Sequence, residues 1–261
     1  MNVLVVYAHP EPRSLSGALK DLAVAHLTAA GHDVRVSDLY AMQWKASADG
    51  GDFPDRPIGE RLVYVRDSGR AFKAGTQSAD VAAEQEKLLW ADAVIFQFPM
   101  WWFAMPAIMK GWVDRVFAFG FAYGVGVHEG ERWGDRYGDG TLAGKRAMLA
   151  MTIGGRAPHY SERGVNGALD ELLFPIHHGI LFYPGMSVLP PFATYQTDRL
   201  APEQWPAVAA AYTARLDGLF TDAPIRFRRQ NGGDYDGQQV LKPGLGGGAA
   251  GLRIHVVSEV P

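Results

Sequence analysis

Cysteine is absent from this chain of 261 residues. Disulfides, thiolate chemistry and thiolate metal sites are thereby excluded, and any electron transfer must run through a bound cofactor. Neither sign of charge dominates: 25 Lys and Arg against 28 Asp and Glu leave a formal charge of −3. The basic residues are scattered, so there is no electrostatic case for nucleic acid or an anionic membrane. The most apolar stretch, Ala93 to Met109, is interrupted by Gln97, Pro99 and Pro106, short of the roughly 20 residues that a spanning helix needs. At the N-terminus no basic region appears and the apolar run stops at His9, which argues against a secretory signal. The expectation is a soluble cytoplasmic protein without membrane insertion. No G-x-G-x-x-G follows the first apolar run, and no G-x-x-x-x-G-K-[ST] occurs, so the dinucleotide fingerprint and the P-loop are both missing. His177 and His178 are adjacent, not four apart as two metal ligands on one helix face would be, and no metal site is expected.

Three loops stand out among what is present. Val3 to Ala8 is apolar on both faces and too short for a helix, as befits a parallel strand covered on both sides. The loop after it, His9 to Ser16, holds two prolines and two serines, and Ser14 and Ser16 are candidate caps for a helix whose apolar positions are Leu19, Leu22, Ala23 and Leu27. Such a helix N-terminus is a natural seat for phosphate. The second loop follows the strand beginning at Ala93 and carries Pro99, Met100, Trp101, Trp102 and Phe103, after which Pro106 opens a helix with Ile108, Met109, Trp112, Val113 and Val116 on one side. The third, Thr152-Ile153-Gly154-Gly155, follows the strand Arg146 to Met151, and paired glycines let backbone approach a ligand closely.

Taken singly, these are helix caps, core aromatics and a turn. Together, each at the end of a strand, they describe a doubly wound parallel sheet with one ligand site at its carboxyl edge. A phosphate loop without a glycine fingerprint, an aromatic loop and a Gly-Gly loop fit the flavodoxin-like strand order, with a flavin at the switch point.

At 48% apolar and 20% charged residues, the chain reads as an α/β domain with an appendage. Residues 1–222 form the flavodoxin-like catalytic domain in this reading, closed by a helix over Glu203 to Phe220. Between Tyr40 and Ala79 periodicity weakens in an excursion rich in Gly, Asp and Pro. The extension, residues 223–261, has eight glycines from Pro224 onward and cannot build its own core. It must pack on something else, and Tyr235 to Val257 is expected to fold against a partner subunit.

The stretches Val5 to His9, Ser37 to Met42, Ala82 to Leu88, Val94 to Phe103, Pro106 to Phe117 and Thr152 to Gly155 resemble the flavodoxin-fold NAD(P)H:quinone oxidoreductases of DT-diaphorase type. The likeness continues through Tyr160-Ser161, Gly164, Gly167, Phe174 to Ile176 and Gly179 to Leu181, and covers about Met1 to Pro224. The resemblance implies a homodimer with one FAD per subunit, FMN being the lesser alternative, and NADPH or NADH alternating with quinone in one pocket. It implies that His9, Ser14, Leu15 and Ser16 line the phosphates and ribityl chain, and that Pro99, Met100, Trp101, Trp102 and Phe103 hold the isoalloxazine edge. Thr152, Ile153, Gly154 and Gly155 would supply backbone contacts and Tyr160 a hydrogen bond at the pyrimidine end. Trp102, Phe103, Tyr123, Val125 and His159 would line the substrate pocket.

Two positions depart from the family pattern. Asn166 stands where the family has His six residues after the active-site Tyr, and an amide can donate a hydrogen bond but takes up no proton near neutral pH. Val125 stands where the family has a second pocket tyrosine, and the smaller side chain should widen the cavity mouth. The expected function is hydride transfer from NAD(P)H to FAD and then two-electron reduction of a quinone or similar flat electrophile by a ping-pong route, with Tyr160 and Asn166 stabilising charge on the flavin. The rival is a flavin-bearing ancillary subunit, for instance of a potassium efflux system. A plain electron carrier would be more acidic and would need no aromatic pocket.

Overall fold

The computed structural model describes residues 1–130 and 132–257. Its main sheet is parallel, in the order β2 (Asp33–Asp38), β1 (Asn2–Tyr7), β3 (Ala93–Pro99) and β6 (Arg146–Ile153), followed by a fifth position shared by two short strands. β7 (Ser187–Val188) pairs with the start of β6 and β8 (Phe192–Tyr195) with its end. Pro190 and Pro191 lie between them; lacking N–H donors, they break the ladder where an edge strand can tolerate it. The resulting order, 2-1-3-4-5 with β7 and β8 together as the fifth, is that of flavodoxin-like sheets, whose switch point falls between the first and third strands. A separate antiparallel pair, β4 (His128–Glu129) and β5 (Arg132–Trp133), sits in the connection before β6.

Alternation along β1 divides the core. Val3, Val5 and Tyr7 face Leu19, Ala23 and Leu27 of α1 (Leu15–Ala29) and Tyr212 and Leu216 of α6 (Trp205–Asp217). Leu4, Val6 and Ala8 face the other layer, which holds Leu88 of α3 (Ala79–Trp90), Met109, Trp112, Val113 and Val116 of α4 (Ala107–Val116) and Leu173 and Ile176 of α5 (Leu169–Ile176). Each such buried side chain contributes on the order of 2 kcal/mol. The expected closing helix is shorter than its apolar pattern: it ends at Asp217, and Leu219 is buried from the turn beyond.

The excursion is more ordered than its composition suggests. It contains α2 (Tyr64–Ala74) and a 3-10 turn (Gly50–Asp52), and it is pinned to α4 by a buried ion pair. The Arg115 guanidinium lies 2.9 Å from Asp52 and 2.8 Å from Asp80 and also donates to the Lys45 carbonyl at 3.1 Å. The charged ring of contacts supplies what the weak apolar pattern of this segment does not.

The tail packs on its own chain. Phe227 bridges Val256, Arg228 Nε donates to the Ile254 carbonyl at 2.9 Å, and a 3-10 turn (Gly251–His255) lies against α5. Immediately after Pro175, which has no N–H to donate, α5 widens into a π-helical segment (His177–Phe182). His178 is thereby stacked between Tyr137 (4.5 Å between centroids) and Phe174 (4.6 Å), with Phe227 and His255 beside it. The tail thus borrows an aromatic floor from the main domain, as a segment without its own core must.

Candidate active site

The three strand-end loops meet at the carboxyl edge of β1, β3 and β6. Ser14 caps α1, its hydroxyl accepting from Gly17 N–H at 3.1 Å, and the first turn carries no acidic residue. The partial positive charge of that helix end is therefore unopposed within its own first turn, and the first N–H groups have no intrahelical partner. His9 Nδ1 lies 3.0 Å from both the backbone nitrogen and the carbonyl oxygen of Glu11, so this ring nitrogen is held by its own loop.

Polar contacts join the loops to one another. Ser16 Oγ and Thr152 Oγ1 are 2.8 Å apart, Met100 N–H donates to the Thr152 carbonyl at 2.9 Å, and the His9 and Trp101 rings lie 6.3 Å apart. Beneath them Gln97, a buried amide in an otherwise apolar strand, donates to the Ser16 carbonyl at 2.6 Å and accepts from the Tyr212 hydroxyl at 3.0 Å. A polar side chain placed there holds the first loop to β3 and α6.

The cleft between the loops has a volume of about 440 Å³ and is lined by His9, Ser14, Leu15, Ser16, Pro99, Met100, Trp101, Thr152 and Gly154. Thr197 and Asp198, from the turn after β8, line it too. Neither was foreseen: a polar dipeptide in a loop carries no local signal, and only the pairing of β8 with β6 delivers it to this edge. Asp198 explains one glycine of the pair, since a Cβ on Gly154 would stand 2.9 Å from its Oδ2; a Cβ on Gly155 would stand 2.9 Å from the Tyr160 ring. The close approach that the two glycines permit is made first by these side chains.

The aromatic loop is a tight turn. Trp101 and Ala104 exchange backbone hydrogen bonds at 3.1 Å in both directions, and the corner residues Trp102 and Phe103 have φ of +49° and +62°. Two positive values at the corner are the pattern of a type I′ turn, where Asn-Gly is favoured and bulky residues are strained. Trp102 is 94% exposed and Phe103 45%. The strain and exposure together hold two rings out of the core, beside the cleft.

Tyr160 ends a 3-10 turn (Ala157–Tyr160), 5.8 Å from the Tyr195 ring. The loop then doubles back, so that Asn166 N–H donates to the His159 carbonyl at 3.0 Å and brings His159, Tyr160 and Asn166 into one compact unit. Ile153 is buried in the core and can offer the cleft only its backbone. Tyr123 and Val125 do not line this cleft; they follow α4, with Tyr123 edge-on to Phe119 at 5.5 Å and its hydroxyl pKa raised by burial, against a hydrogen bond with Ser68. Among the described residues no group of three His, Asp or Glu is placed to hold a metal, and no helix is long and apolar enough to cross a membrane.

An α/β sheet with a phosphate-ready helix end, exposed aromatic rings and a glycine pair at its switch point defines a flavodoxin-like cofactor-binding protein. The chain belongs to the flavodoxin-like fold family, whose model matches residues 1–217. It is 60% identical to a crystal structure described as a "Putative quinone reductase" from Klebsiella pneumoniae, with a TM-score of 0.96 over 98% of this chain and 100% of that one. It is 48% identical to the ribosyldihydronicotinamide dehydrogenase-like protein traD of Penicillium crustosum, over 100% of this chain and 97% of the relative. Human ribosyldihydronicotinamide dehydrogenase [quinone] is 39% identical over 85% of this chain and 94% of its own length.

Proposed function

We propose that the protein is a flavin-dependent oxidoreductase that takes a hydride from a reduced nicotinamide and passes two electrons to a quinone or a comparably flat electrophile. The observation that carries this reading is the convergence of His9, Ser14, Pro99, Met100, Trp101, Thr152 and Gly154 on one cleft. The relatives named as quinone reductase and dehydrogenase favour turnover over the ancillary-subunit reading.

The residues present fit a flavin. The α1 N-terminus with Ser14 and His9 supplies donors for phosphate, Thr197 and Asp198 supply acceptors for chain hydroxyls, and the strained turn presents flat rings. A bound flavin supplies the redox chemistry, accepting a hydride and returning two electrons. The protein's share is position and electrostatics. Pro99, Met100 and Trp101 would support the ring edge, with Trp102 and Phe103 beside them as the wall on which nicotinamide and quinone would stack in turn. Tyr160 would donate a hydrogen bond at the flavin's pyrimidine end, where negative charge gathers on reduction, and Asn166 would add an amide dipole without relaying a proton. FAD is the flavin we favour, and a homodimer in the cytoplasm the form of the enzyme. Tyr123 and Val125, which do not line the cleft of their own chain, would then serve the partner's pocket.

The absorption spectrum of the purified protein, with chromatography of the released cofactor, tests the flavin and distinguishes FAD from FMN. Oxidation of NADPH, NADH and dihydronicotinamide riboside in the presence of menadione tests the enzyme. A protein that stays colourless with either flavin would end this reading. Stopped-flow reduction of Asn166→Ala should be slower than that of the wild type, and an unchanged rate removes Asn166 from the mechanism.

A further inference from the structure

Gln97 is the only polar side chain of β3, and its register partner in β1 is Tyr7, so it stands on the face of the sheet that α1 and α6 cover. There it is 1% exposed and makes two hydrogen bonds. The Ser16 carbonyl can only accept, which turns Nε2 of the amide toward α1 and Oε1 toward Tyr212. The Tyr212 hydroxyl must therefore donate, at 3.0 Å. Burial raises its pKa, so the phenol keeps its proton at neutral pH.

The series of donors continues past Ser16. Its carbonyl and the Gly17 N–H belong to one peptide group, and that N–H donates to Ser14 Oγ at 3.1 Å. Ser14 Oγ, having accepted, keeps its own hydrogen to give, and Ser14 lines the loop cleft. Every link from Tyr212 to Ser14 points the same way: hydroxyl to amide oxygen, amide nitrogen to carbonyl, N–H to hydroxyl. Hydrogen bonds aligned in this manner polarise one another, each strengthening the next by about 10–30%. The side-chain amide and the peptide group transmit the effect because nitrogen and oxygen share one delocalised π system.

We propose that Tyr212 and Gln97 are positioning residues for the cofactor phosphate: their aligned hydrogen bonds make the Ser14 hydroxyl a fixed and stronger donor to the phosphate group of a bound flavin. Neither residue lines the cleft; both act through Ser16 and Gly17. This role rests on the flavin reading above and adds a distinction to it. An anion at the α1 N-terminus feels the loss of the Tyr212 hydroxyl, whereas the uncharged ring and ribityl chain do not.

The test titrates the full chain, freed of flavin, with FAD, FMN and riboflavin, following flavin fluorescence. Riboflavin has the ring and ribityl chain without phosphate. Tyr212→Phe removes the first hydroxyl of the series and keeps the aromatic ring. FAD and FMN should bind this variant about 2- to 5-fold more weakly, and riboflavin as it binds the wild type. A merely loosened cleft would weaken all three alike, so the ratio of FMN to riboflavin affinity separates the two roles. In a Ser14→Ala background, where the last donor is gone, Tyr212→Phe should add no further weakening. Gln97→Met, close in shape and apolar, should repeat the Tyr212→Phe result and decides the matter if Tyr212→Phe does not fold. Equal weakening of all three flavins, unchanged FMN binding, or an undiminished effect in the Ser14→Ala background each overturn the proposal and leave the flavin reading standing. A wild-type chain that binds none of the three ends both.

Discussion

The hydroxyls of Ser16 and Thr152 lie 2.8 Å apart although 136 positions separate them, and both residues are buried. The contact joins the first strand-end loop to the third. Replacing Thr152 by Val preserves shape and leaves Ser16 Oγ without this partner, at a cost of about 1–3 kcal/mol. The urea midpoint should fall accordingly, and flavin should bind more weakly because the floor of the cleft loosens. An unchanged midpoint would mean that the hydroxyl finds another partner.

Trp102 and Phe103 occupy the corner that Asn and Gly would occupy without strain. The double substitution Trp102→Asn with Phe103→Gly should stabilise the flavin-free protein by about 1 kcal/mol or more, since each positive-φ bulky residue costs on the order of 1–3 kcal/mol. Trp102 is 94% exposed, so little burial is lost there. Flavin and quinone binding should weaken together. Denaturation of the flavin-free variant and flavin fluorescence titration report the two effects, and a destabilised variant would show that the turn is unstrained.

Arg115 is 3% exposed and Asp52 likewise 3%. Arg115→Met strands the buried Asp52 carboxylate with Lys45, 3.0 Å away, as its remaining cation. The expected loss is about 3–5 kcal/mol, and limited proteolysis should cut the segment between Lys45 and Val63 first. If that segment resists cleavage as in the wild type, the ion pair does not hold the excursion.

His177 and His178 both titrate near 4, their protonation opposed chiefly by burial. In the unfolded chain each takes up a proton near the ordinary value of about 6.5. Between these pH values the unfolded state binds more protons, so stability is full above about pH 6.5 and is lost as pH falls toward 4. For His177 the loss is on the order of 3 kcal/mol; His178 is less buried and contributes less. The melting temperature of His177→Phe should depend less on pH over this range than that of the wild type, and parallel profiles would count against the buried neutral ring.

Much of the architecture is legible locally. The apolar periods of α1 and α4, the Ser14 cap and Pro106 ahead of α4 all state their conformation within a few residues, because caps and helix faces are short-range physics. The excursion was less legible: it is pinned to α4 through Asp52 and Arg115, and charges write no periodic pattern. Gln97 read as an interruption of an apolar run, yet an isolated amide inside a buried strand was itself the signal of a polar network. Thr197 and Asp198 had no comparable mark.

Strand identity, helix faces and the chemical character of each loop follow from neighbouring residues, since backbone sterics and burial of one face act over a few positions. Which loops touch does not. Ser16 against Thr152, Gln97 against Tyr212, Gly154 against Asp198 and the tail over His177 are set by the strand order and by the parallel register that brings distant carboxyl ends to one edge. Such contacts depend on positions in space that no spacing along the chain encodes.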